Sequence, residues 1–149
     1  MKDCFYEYRK GLYEALSTLK YKGVSMTVKE FAATEDPTPY IIIFNMNSTF
    51  ERDDDKDSQT VTTDIMVVTS HEGDPSQYGS KESDDIMTMV MQKLITKGVT
   101  APDRAAHIVM TNFTDMGCFF VNLNYQPVYD GLKTTIQKIL TIQTMIDEN

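Results

Sequence analysis

The stretch "FERDDDKDSQTVTTDIMVV", beginning at Phe50, holds the densest set of cation-binding groups in the chain. Five of the eight positions from Glu51 to Ser58 are acidic. Asp53, Asp55 and Asp57 alternate as the first carboxylates of an EF-hand calcium loop do, and Asp54 adds a fourth charge between them. Counting from Asp53 as position 1 puts Asp64 at position 12. The match fails where geometry matters. Position 6 must turn sharply and needs glycine, but Ser58 stands there; position 12 needs a bidentate Glu, and Asp64 is one methylene shorter. Both flanks read as strands, whereas a calcium loop lies between helices. A solvated, self-repelling hairpin loop is the expected structure, and a calcium-binding module on residues 51–64 is the alternative that the spacing leaves open.

The remaining reactive groups are scattered. Asp84 and Asp85 are adjacent, so on a helix they diverge by about 100° and suit the positive N-terminal end better than a shared substrate. Cys4 and Cys118 have no CxxC partner and no base nearby, and are read as reduced structural thiols. His71 and His107 form no HxH or HxxxH pair. With no Gly-rich phosphate loop, GxSxG elbow or HExxH motif, the chain is expected to be no enzyme and to bind no cofactor.

Composition narrows the partners. At 149 residues, 41% hydrophobic and 24% charged, the chain fits one globular domain spanning residues 1–149. No apolar run is long enough to span a membrane, and "MKDCFYEYRK" lacks a signal-peptide core. The formal net charge of −8 disfavours gripping nucleic acid, because phosphates are bound by clustered Lys and Arg.

These groups must be positioned by a small set of elements. Phe5, Tyr8, Leu12, Ala15, Leu16 and Leu19 recur at helical steps despite Gly11. "VSMTVKEFA", "YIIIFNMNSTF" and "QTVTTDIMVVTS" read as strands, the last two as a hairpin closed by the acidic loop. A second long loop, "HEGDPSQYGSKES", precedes a helix "SDDIMTMVMQKLITKG", with Ser83 as its cap and Gly98 as its stop. The methionine stripe at 87, 89 and 91 reads as core filler or interface. "AAHIVMTNF" and "GCFFVNLNY" read as two strands joined by a "TDMG" turn. "LKTTIQKILTIQTMI" is read as a long central strand, with Leu132, Ile136, Leu140 and Ile142 on one face. The expected fold class is α+β, a mainly antiparallel sheet packed against two helices.

This order of elements, with "GLYEALSTL", "DPTPYIIIFNMN", "TTDIMVVTSHEG", "DDIMTMVMQKL" and "DGLKTTIQKILTIQTMID", resembles the tail-completion or tail-terminator proteins of long-tailed bacteriophages. The resemblance covers most of the chain and departs from the family in its Thr- and Ile-rich last strand, where relatives often carry arginines. It implies a structural virion protein in the tail or neck, assembled in the host cytoplasm. It implies a homo-oligomeric ring, typically six-fold, between tail-tube and head-connector proteins, through which DNA passes without specific binding. Another head–tail connector or tail-tube ring protein is the neighbouring alternative. The two long loops are the candidate contacts, through Asp53, Asp54, Asp55, Asp57 and Tyr78, with Met87 and Met91 as apolar anchors at the rim.

Overall fold

A computed structural model describes residues 2–31, 37–53, 56–72, 81–95 and 108–149, with backbone alone at residues 52, 53 and 56. Helix α1 (Phe5–Ser17) forms where the periodicity places it, and buries Tyr8, Gly11, Leu12, Ala15 and Leu16. Thr18 closes it by donating its hydroxyl to the Ala15 carbonyl at 2.6 Å. Strands β1 (Lys20–Tyr21) and β2 (Val24–Ser25) then make a short hairpin. Its two turn residues, Lys22 and Gly23, both have positive φ (49° and 81°), the signature of the turn type that suits strand twist.

The main sheet contains β3 (Thr27–Lys29), β4 (Tyr40–Asp53), β5 (Lys56–Glu72), β6 (Phe113–Tyr129) and β7 (Lys133–Glu148). Across the sheet the order is β3-β4-β5-β7-β6. Only β3 and β4 pair in parallel; every other neighbour is antiparallel. The fold is α+β, as the pattern of elements implies.

Strand alternation decides which face is buried. Val61, Thr63, Ile65 and Val67 of β5 lie opposite Thr144, Ile142, Leu140 and Lys138 of β7, so they share a face. Helices α1 and α2 (Lys81–Leu94) lie on that face: the Tyr8 hydroxyl meets Thr144, and Ile86, Met87, Val90 and Leu94 join the same core. Burying each large aliphatic side chain contributes about 1.5–3 kcal/mol before chain entropy is counted.

Four expectations are corrected. The acidic stretch is not a long loop. Strands β4 and β5 pair through it, with Glu51 opposite Ser58, Arg52 opposite Asp57 and Asp53 opposite Lys56. The backbone ladder carries the pairing through these charged positions, so the strands and not a loop set their conformation. Secondly, "TDMG" is no turn but part of β6. Gly117 (φ 141°) sits at a register shift after Asp115, whose Oδ1 accepts from the Gly117 N–H at 2.9 Å. This is a β-bulge, which bends a strand without ending it. The preceding residues 108–112 form no strand, and 101–107 lie outside the described residues.

Thirdly, α2 begins at Lys81, so Ser83 is buried in its first turn rather than capping it; Gly98 lies outside the described residues. Fourthly, β7 is the expected long strand, and Ile136, Leu140 and Ile142 are fully buried, but Leu132 is 82% exposed. The reason is local. Asp130 Oδ1 accepts from the N–H groups of both Leu132 (2.9 Å) and Lys133 (2.8 Å), which holds Leu132 in the turn.

Candidate assembly surface

Among the described residues, the two thiols are held in their neutral form. Burial pushes the Cys4 thiol up to about 11 and the Cys118 thiol up to about 12, so neither ionises near neutral pH. Cys4 instead donates weakly to Gln59 Oε1 at 3.4 Å. No group of three or more His, Cys, Asp or Glu residues among the described ones could hold a metal ion. No helix among them is long and apolar enough to cross a membrane.

What the sheet does offer is edges. Strand β6 lies at one end of the strand order and keeps an outer side with no neighbour among the described residues. Along it Phe119, Phe120, Val121, Tyr125, Val128 and Tyr129 are all substantially exposed. An edge strand of this length normally carries charges or bends away to avoid pairing with another chain. This one carries two bulges, after Asp115 and after Phe120, and Pro127 near its end. It has apolar residues where charges would protect it.

The opposite edge is mostly β4. Strand β3 covers only Tyr40, Ile42 and the residue between them, and stops with Lys29 opposite Ile42. Beyond that point β4 runs on to Asp53 with its outer side open among the described residues. Where β3 stops, a cleft of about 200 Å³ opens between α1 and the sheet, lined by Tyr6, Arg9, Lys10, Tyr13, Lys29, Glu30 and Ile43. Helical spacing gives the α1 wall, since positions 6, 9, 10 and 13 share one face that flanks the core stripe. Arg9 and Glu30 form an ion pair at 2.9 Å across the cleft, and Lys29 stacks over the Tyr40 ring at 5.3 Å. Being exposed, the ion pair shapes the cleft more than it stabilises it.

The residues expected at an interface are distributed otherwise. Asp53 ends β4, and Asp57 lies in β5 opposite Arg52. Asp54, Asp55 and Tyr78 lie outside the described residues. Met87 is 1% exposed and belongs to the core, so it is no rim anchor of the folded chain; Met91 is half-buried and packs against the same core. Helix α2 turns both inward because Ile86, Val90 and Leu94 fix its buried stripe. The β6 surface went unread in the sequence, although "CFFV" carried the signal: three consecutive large apolar residues cannot all face one side of a strand.

No family model matches the sequence, and neither does any curated protein. The fold, however, is shared with a solved structure. A chain from the virion of a native gene transfer agent particle superposes with a TM-score of 0.66 at 13% sequence identity, over 99% of each chain. At that identity the likeness concerns the fold: the chain has the same α+β architecture, from end to end, as a protein that is part of that particle.

Proposed function

We propose that this chain is a structural component of a phage-like virion. In this reading it forms a homo-oligomeric ring, six-fold in symmetry, at the head-proximal end of the tail, between tail-tube and connector proteins. The observation that carries the reading is the end-to-end match in fold to a chain of the gene transfer agent virion. The resemblance of the element order to tail terminators points the same way. Two sheet edges that no described strand covers, β6 with its exposed apolar residues among them, support assembly, because unpaired strand edges and uncovered apolar surface are sites of association. The acidic balance supports a lumen that lets DNA slide, since like charge keeps phosphate from adhering. The role is architectural rather than catalytic.

A mass-spectrometric inventory of purified particles tests this. The expected result is the chain present at a low, fixed copy number that is a multiple of the ring symmetry. Cryo-electron microscopy of the same particles then separates a terminator at the top of the tail from a connector or tail-tube ring. Particles lacking the chain altogether refute the reading.

A further inference from the structure

We propose that copies of this chain join by continuing one sheet into the next: β6 of one copy adds antiparallel to the length of β4 that no described strand covers in its neighbour, and Phe120 enters the cleft beside Ile43. The proposal deepens the ring reading above and rests on it. Its occupant is a second copy of this chain, for three reasons of geometry.

Polarity comes first. The antiparallel ladders make β4 and β7 run one way and β5 and β6 the other. In a ring, each copy is rotated about the ring axis relative to the next. With the strands roughly along that axis, the rotation keeps their directions. A neighbour's β6 then meets β4 antiparallel, the pairing that dominates within the sheet and is slightly the more stable kind.

The two edges also lie at the same level. Ile43 pairs with Ile65, Ile65 with Leu140, and Leu140 with Leu123. Likewise Phe50 pairs with Gln59, Gln59 with Ile146, and Ile146 with Asp115. The open part of β4 from 43 to 50 is therefore level with β6 from 115 to 123. Pro127, which has no N–H to give, traces through Ile136 to Thr69, one step past Val68, the partner of Tyr40 where β4 begins. Pro127 thus falls beyond the strand it would meet, while the bulges of β6 after Asp115 and Phe120 and of β4 after Phe44 lie within the paired stretches and bend both edges at the same level.

The faces agree as well. Phe120 lies opposite Ile142, a core residue, so its side chain is on the helix-bearing side of the sheet and is 49% exposed there. The cleft is on that same side, because α1 makes its wall. When a sheet continues from copy to copy, the helix-bearing side stays the helix-bearing side. Backbone hydrogen bonds would supply affinity and the seated ring specificity, as in other strand additions. The contact is heterologous: β6 and β4 are different surfaces, and a heterologous contact that closes on itself gives a ring.

Phe120→Asp breaks the donor edge and Tyr13→Asp breaks the cleft. Both residues are about half exposed, so both variants are expected to melt with the wild type. Sedimentation is expected to show association of the wild type and at least tenfold weaker association of each variant alone. Their equimolar mixture is expected to recover dimers and nothing larger, since one intact β6 meets one intact β4 per pair. In particles, amide exchange of peptides spanning 43–50 and 115–123 is expected to slow relative to the free chain. If Tyr13→Asp associates like the wild type, a symmetric β6–β6 contact replaces this proposal. A mixture that stays monomeric also overturns it. If the chain is in particles with neither stretch protected, sheet continuation falls and the ring reading survives. If the wild type neither self-associates nor occurs in particles, both fall.

Discussion

A Cβ placed on Gly11 would lie 2.3 Å from Cγ2 of Ile108 and 3.3 Å from the Val109 carbonyl oxygen. The α1 backbone thus packs directly on the segment leading into β6. In an exposed helix, Gly→Ala stabilises by about 1 kcal/mol. Here overpacking costs about 1–3 kcal/mol and reverses the sign, because the obstacle is the methyl of a stiff, β-branched side chain and a backbone oxygen. Gly11→Ala is expected to lower the urea midpoint; a raised midpoint refutes the close contact.

Tyr8 and Thr144 meet through their hydroxyls at 2.5 Å in the core. Burial is the main reason that the phenol is held far above its ordinary pKa, so it stays neutral. Tyr8→Phe leaves Thr144 without this partner and is expected to cost about 1–2 kcal/mol. Adding Thr144→Val removes the stranded hydroxyl, so the double variant is expected to lose less than the two single losses combined. Strict additivity in denaturant titrations would show that the hydroxyls are uncoupled.

Glu7 ties α1 to the residues before β6. Its carboxylate accepts from the N–H groups of Thr111 (2.9 Å) and Asn112 (3.0 Å) and from the Asn112 amide at 2.6 Å. The backbone N–H of Asn112 is the largest cause holding its pKa below the ordinary value. A depressed carboxylate stabilises the fold at neutral pH, and that contribution disappears as pH falls through the carboxylate range. Thermal melts of the wild type are expected to fall more steeply on acidification than those of Glu7→Gln. Parallel curves mean that the carboxylate contributes nothing.

The two cysteines are free and buried. With thiol pKa values near 11 and 12, the native protein is expected to react negligibly with an aromatic disulfide reagent at pH 8 over an hour. Two equivalents are expected once denaturant is added. Rapid release of one equivalent from the native protein contradicts the packing around Cys4 or Cys118.

Much of this architecture is written in periodicity. The stripe from Tyr8 to Leu16 and the parity from Ile136 to Ile146 are strong because each buries one face against a single neighbouring layer. The acidic hairpin and the "TDMG" bulge were illegible for a common reason. Strand identity there comes from the ladder partner, not from the residues' own preferences: Asp53 faces Lys56, and Gly117 faces Met145. Met87 misled for another reason, since a methionine suits core and interface equally and only the phase of α2 decides. The exposed apolar edge of β6 was hidden because an edge strand differs from a central one in what stands beside it, which no single segment records.

The contact between Tyr8 and Thr144 joins residues 136 positions apart. During synthesis the first helix therefore cannot complete this buried contact until the last strand has left the ribosome. At roughly 5–20 residues per second, that wait is on the order of ten seconds. Completion of the fold is thereby coupled to completion of β7, and the slow step is closure of a long chain rather than formation of any local turn. Shortening the chain before β7 leaves the helix β3, β4 and α2 to dock on but removes the strand between β5 and β6, so a nascent chain stalled there keeps apolar surface uncovered.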